Sequence, residues 1–162
     1  MNAVAYADID RVWDLMKKIN VCMFATWDGR ELHARPMGAY VRREDDAIFF
    51  LSDARRHKDG EIRQYSKVCL AFADTGGQNY VSLSGHAEVS TDRAKIRELW
   101  GTPAKAWWNS PDDPNIRVLK VTPIEAEYWD APGKTMASIK MAAAAMTGQR
   151  PDMGENRKVG MR

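Results

Sequence analysis

The stretch AIFFLSDARRHKDGEIRQY (residues 47–65) carries the clearest instructions in this chain. Its first residues, through Ser52, read as an apolar strand, and a helical pattern follows over residues 58–65. Between them lie Arg55, Arg56, His57 and Lys58. A helix first turn has a charge of about +0.5 and unpaired N–H groups, so each cation there is unfavourable by about 0.3–1 kcal/mol. Asp53 and Asp59 offset part of this. A phosphate on the N–H groups, ringed by hydroxyl, guanidinium and ammonium donors, satisfies the whole arrangement; a solvated basic helix start is the alternative.

Upstream, Arg35 stands in HARPMG (residues 33–38), where Pro36 cannot donate to a β ladder. That places Arg35 at an edge or opening, within reach of a ligand. Strands are predicted over residues 21–27, 31–41 and 47–52, the first two joined by an Asp28-Gly29 turn, as an antiparallel meander. Before them, Ile9, Val12, Trp13 and Met16 have the spacing of an amphipathic helix with Asp8 as its cap.

Downstream, strands are predicted over residues 67–73 and 79–89, separated by a Gly76-Gly77 turn. In the second, Val81, Leu83, Ala87 and Val89 alternate with Ser82, Ser84, His86 and Glu88, giving one dry face. Thr91 caps a helix over residues 92–100. An excursion over residues 101–115 contains Trp107 and Trp108; adjacent indoles cannot both face one core, so one is expected buried and the other available to a groove or a partner subunit, with plain packing of the excursion onto the barrel the favoured role for both. A final strand, residues 116–129, bends at Pro123. About six strands with few long helices predict a mainly β, antiparallel barrel with an N-terminal and a C-terminal helix, because closure removes unpaired edges. The barrel spans residues 1–130. Residues 131–162 form a C-terminal helix docked on it, containing MAAAAM (141–146), and a flexible, Gly-rich, charged tail.

The 162 residues, 44% hydrophobic, suffice for one sizeable core. Lys and Arg total 24 against 22 Asp and Glu, a formal charge of +2, so bulk electrostatics gives no reason to bind nucleic acid. No run approaches the ~18 apolar residues of a membrane span, and a cytoplasmic protein without membrane contact is expected. Cys22 and Cys69 read as small buried thiols, and the scattered His33, His57 and His86 have no metal-site spacing. No general base, nucleophile or catalytic triad is legible.

Several segments in order, ELHARPM (31–37), AIFFLSDARRHK (47–58), KVCLAFAD (67–74), NYVSLSGHAEVSTDRAKIRELW (79–100), KAWW (105–108), PDDPN (111–115) and VTPIEAEYWD (121–130), resemble the FMN-binding split barrels related to pyridoxamine 5'-phosphate oxidase, most closely the general stress protein 26 group. The resemblance implies a split barrel that binds FMN, with FAD as a variant, and a homodimer in which each flavin lies between two protomers. It implies Arg35 at the phosphate and ribityl chain, with Pro36 and Met37 placing backbone near the isoalloxazine. Leu51 and Ser52 take the place of an aromatic-Thr pair, and Arg56, His57 and Lys58 that of a Ser-Arg-Lys phosphate triplet. Tyr80 replaces a flavin-facing Gln, and Trp129 matches a Trp near the end of the last strand. The oxidase's C-terminal Arg-x-His is missing: the chain reads DAPGKTMASIK (130–140) after Trp129. The resemblance thus implies a flavin-binding stress protein, in reach of low oxidoreductase activity but not of pyridoxamine phosphate oxidation. A barrel using deazaflavin or haem, and a cofactor-free binding module, are the alternatives.

Overall fold

A computed structural model of the chain describes residues 3–56, 58–131, 134–150 and 154–162. Helix α1 (Ala3–Ile19) leads into strands β1 (Val21–Trp27), β2 (Leu32–Gly38), β3 (Tyr40–Arg42) and β4 (Ala47–Asp53). Helix α2 (Lys58–Gln64) precedes β5 (Lys67–Asp74) and β6 (Asn79–Ser90). Helix α3 (Arg93–Leu99) and the single turn α4 (Thr102–Lys105) precede β7 (Ile116–Asp130), and α5 (Lys134–Thr147) and β8 (Glu155–Gly160) follow.

The strands form one antiparallel sheet in the order β2-β1-β5-β6-β7-β4-β3, with β8 also on β7. Its two ends, β2 and β3, are joined through Ala39 alone. The sheet must therefore curl until those edges approach; the mainly β, antiparallel architecture is as expected, and it takes the form of a curled half-barrel with a seam where β2 and β3 do not pair.

Alternation explains the layers. In β4, Ile48 and Phe50 face the barrel interior, while Ala47 and Phe49 face out and are covered by Ile96 and Leu99 of α3, with Trp108. This is why the strand reads as an unbroken apolar run. Phe24 meets Phe50 edge to face at 4.9 Å and 87° inside the barrel, among Leu70, Phe72, Val81 and Leu83. Each such side chain contributes about 1.5–3 kcal/mol on burial. Helix α1 adds Val12, Trp13, Leu15 and Met16 to the same core.

Several expectations are corrected. Among the described residues there are eight strands rather than about six. The segment expected as one strand over residues 31–41 divides at Ala39 into two strands at opposite edges of the sheet. The expected loose tail instead ends in β8, paired with Glu125–Asp130 of β7, because Val159 and Met161 find buried sites there. Helix α5, expected to dock, leaves Ile139, Met141 and Met146 exposed. Asp8 lies within α1 rather than capping it, and accepts hydrogen bonds from Tyr128 Oη at 2.8 Å and Arg157 Nη1 at 3.4 Å, pinning the helix to β7 and β8. Asp92, not Thr91, caps α3, accepting from Lys95 N at 3.0 Å.

The bend expected at Pro123 is a bulge: the β6–β7 register shifts between Ser84 and Gly85, opposite Glu125 and Pro123. Both cysteines are free. Cys22 faces the core and Cys69 the outer surface of adjacent strands, and burial pushes the Cys22 thiol up to about 12. Among the described residues no helix is long and apolar enough to cross a membrane, and no cluster of three His, Cys, Asp or Glu is placed to hold a metal.

Candidate functional site

A cleft of about 420 Å³ opens at the seam of the half-barrel. One side is β2, with Arg35, Pro36, Met37 and Gly38, continuing into Tyr40 of β3. The end of β4 supplies Leu51, Ser52 and Asp53, and the turn into α2 supplies Arg56 and Lys58. Pro103, Ala104, Trp107 and Trp108 form the far wall.

Alternation along β2 sends Arg35 and Met37 to the inner face, opposite Phe24 and Cys22, and Pro36 to the outer face. Arg35 is held from behind. Its Nη1 donates to Thr26 Oγ1 at 2.6 Å, Thr26 Oγ1 donates to Glu61 Oε2 at 2.6 Å, and Arg35 Nη2 lies 3.5 Å from the same carboxylate. One face of the guanidinium fork is thereby fixed, leaving donors for the cleft.

Lys58 is the first residue of α2, and the polar contact its ammonium makes is with Met37 Sδ at 3.6 Å. Burial lowers its pKa below the ordinary 10.5, and the positive charge of Arg35 lowers it further. Asp59, next to it, points toward Arg117, 4.0 Å away. Arg55 does not join the cluster: it closes a two-residue loop onto Asp53, with Nε to Oδ1 at 2.9 Å and Nη2 to Oδ2 at 2.5 Å. This pairing holds the Asp53 carboxyl well below the usual range. Among the described residues Arg56 has no carboxylate within ion-pair distance.

Among the described residues, two buried donors border the cleft without a hydrogen-bond partner, Ser52 Oγ and Trp108 Nε1; the indole N–H approaches Asp53 without reaching hydrogen-bond geometry. A buried unpaired hydroxyl or N–H costs about 1–3 kcal/mol, so each counts as a place for an acceptor. The polar lining is dominated by donors, and the one carboxylate among them, Asp53, is already engaged by Arg55. Such a lining can take an acceptor-rich anion with an apolar body. Helix α2 has only seven residues and carries Asp59 and Glu61 in its first turn, so side chains rather than the helix end make the site electropositive.

Seven residues singled out in the sequence, Arg35, Pro36, Met37, Leu51, Ser52, Arg56 and Lys58, thus line one cleft. His57 lies outside the described residues. Tyr80 and Trp129 do not border the cleft. They pair with each other across β6 and β7, on the outer face of the sheet. Tyr40 and the α4 wall were not singled out as site residues; the only signal was the adjacent indoles of KAWW, which do divide as expected, Trp108 buried and Trp107 72% exposed. His33 is 2.9 Å from Asp28 and His86 3.3 Å from Ser66, and neither borders the cleft.

Fold and site together define a class: curled antiparallel half-barrels with a cation-lined cleft at the seam. Residues 7–152 match the model of the family described as pyridoxamine 5'-phosphate oxidase like, and the chain belongs to that family. It is 24% identical over 138 residues to general stress protein 26 of Bacillus subtilis (strain 168), covering 81% of this chain and 94% of that protein. A solved structure from Jannaschia sp. CCS1, assigned as general stress protein 26, is 28% identical, covers 95% of this chain and 98% of that one, and superposes with a TM-score of 0.77. The general stress FMN/FAD binding protein of Xanthomonas citri is 26% identical, with 74% of this chain and 86% of that one covered, at a TM-score of 0.66.

Proposed function

We propose that this chain is a flavin-binding protein of the general stress protein 26 type, holding FMN or its dinucleotide FAD in the seam cleft. The observation that carries this reading is the concentration of donors in one cleft: Arg56, Lys58, Ser52 Oγ and Trp108 Nε1, with Arg35 pre-positioned beside them. The phosphate lies between Arg35, Ser52, Arg56 and Lys58. Pro36, Met37 and Leu51 flank the ring system. A flavin supplies redox chemistry when bound. The chain's own residues bind it and orient it, and no described residue of the cleft is placed as a general base or nucleophile. The relation to a protein of Xanthomonas citri that is named as binding FMN and FAD supports the same reading.

A second copy of the chain completes the site. The outer face of β1 and β2 exposes Val21, Met23, Trp27 and Leu32, and Pro36 at the cleft's lip continues that stripe. Registers through β5 put Tyr80 and Trp129 on this same outer face. A copy meeting it presents its own Tyr80 and Trp129 to the cleft, which accounts for their distance from it within one chain. Pyridoxamine phosphate oxidation is not proposed, because the chain lacks the oxidase's C-terminal Arg-x-His.

The test is the visible absorption spectrum of purified protein, followed by titration with FMN. An Arg35→Ala, Lys58→Ala double variant should bind at least about ten- to hundredfold more weakly, since each charge-assisted contact is worth about 1.5–3 kcal/mol. Unchanged affinity would reject the site.

A further inference from the structure

We propose that Met37 is a redox-modification site of the cleft: a peroxide oxidises its thioether to the sulfoxide, which captures Lys58 and weakens the hold on a bound phosphate. The proposal rests on the phosphate end of the flavin reading and adds how that end is regulated.

Lys58 Nζ donates to Met37 Sδ at 3.6 Å, and among the described residues this thioether is the hydrogen-bond partner the ammonium has. A thioether is a weak acceptor, so a half-buried cation is left short of partners. Burial and the charge of Arg35 both count against its charged form, while the neighbouring Asp59 carboxylate is turned toward Arg117. The sulfur is open to a small oxidant, because Met37 is half-buried and lines the solvent-filled seam. Met16 and Met161 are buried, and Met23, Met141 and Met146 are exposed but do not line the cleft. Among the described residues Met37 is the methionine that joins a thioether to the cations of the site.

In the oxidation a sulfur lone pair attacks the terminal oxygen of the peroxide. The S–O bond forms as the O–O bond breaks, the sulfur gives up two electrons, and the proton of the transferred oxygen passes to the other one. That oxygen leaves as water, or as an alcohol from an organic peroxide. The product is a polar side chain, and its oxygen is a far better acceptor than the thioether it replaces. Carried on the sulfur that Lys58 already touches, this oxygen accepts a charge-assisted hydrogen bond from the ammonium. Arg35 lies on the same inner face of β2, two residues away, so the oxygen's negative partial charge falls among the donors that a phosphate needs. Oxidised Met37 therefore competes with the anion. Methionine sulfoxide can be reduced enzymatically, which makes the change reversible.

The experiment treats the full chain with hydrogen peroxide and maps the sulfoxides by peptide mass spectrometry. Before and after treatment the chain is titrated with FMN, followed by flavin fluorescence, and with inorganic phosphate, followed by phosphorus NMR. Met37→Leu and Lys58→Ala variants run alongside, each compared with its own untreated form, so that a different starting affinity drops out. In the wild type Met37 should be oxidised and affinity for both ligands should fall about tenfold, the scale of one charge-assisted contact. Methionine sulfoxide reductases should restore it. Met37→Leu should lose no affinity on treatment although its exposed methionines are oxidised, and Lys58→Ala should lose little, because the group the sulfoxide captures is gone. Met37 unoxidised while Met146 is oxidised, an oxidised Met37 with unchanged affinity, or an equal loss in either variant would overturn the proposal and leave the flavin reading standing. Phosphate that binds and responds to oxidation in a chain that takes up no FMN would reject the flavin reading and uphold the proposal. A chain that binds neither ligand would reject both.

Discussion

Lys58 shows how one residue's surroundings set the conditions for binding. Its ammonium is half-buried, has only a thioether contact among the described residues, and feels Arg35, so its pKa is lowered from 10.5. A bound phosphate reverses that balance, because the dianion favours the charged ammonium. Lys58 is charged below its lowered pKa and neutral above it, so affinity for FMN should fall on the alkaline side before pH reaches the ordinary 10.5. Lys58→Met should bind more weakly at neutral pH and lose that alkaline fall; titrations across pH 7 to about 10 check it. Residues of this kind were legible in the sequence because their chemistry is local: hydroxyl, guanidinium and ammonium groups within a few positions after a strand.

At the scale of elements, the bulge where β6 crosses β7 shapes the curl. A Cβ on Gly85 would lie 2.7 Å from Val121 Cγ1 and 2.8 Å from the backbone oxygen of Thr122, and the latter cannot swing away. Gly85→Ala should therefore cost about 1–3 kcal/mol, as overpacking does. A lower midpoint of denaturant unfolding with an unchanged slope is the expected reading. Gly60, within α2, has nothing within 4 Å of the same added atom, so Gly60→Ala should be neutral or stabilising by about 0.4–1 kcal/mol. Pro123 marked this bend in the sequence. The eighth strand left no such mark, because its residues acquire a pattern only against the strand they pair with.

For the whole molecule, the outer sheet face is the unfinished surface. Val21, Met23, Trp27 and Leu32 are 50%, 43%, 38% and 75% exposed on adjacent strands, a contiguous stripe rather than scattered residues. Such a stripe marks an interaction surface, and two-fold symmetry would let the same patch serve both copies. Light scattering at micromolar concentration should give a dimer. Leu32→Glu should shift it toward monomer and weaken flavin binding in the same sample, since Tyr80 and Trp129 would leave the partner's cleft with it. A monomer that binds flavin as tightly as the wild type would contradict the shared site.

Sequence alone determined the class of fold and the cationic half of the cleft. Strand periodicity, the Asp28-Gly29 turn and the basic run after Asp53 are short-range features whose physics operates between near neighbours. Tertiary structure decided everything that depends on two distant segments meeting. The break at Ala39 sends β2 and β3 to opposite edges and opens the seam, β8 finds its partner only across the α5 connection, and Trp107 becomes a cleft wall only because Trp108 is anchored in the cluster beside β4. Asp8 makes the same point at the scale of one carboxylate. Its position near a helix start suggested a cap, but a residue's local role yields when a buried hydroxyl and a guanidinium from residues more than a hundred positions away need an acceptor.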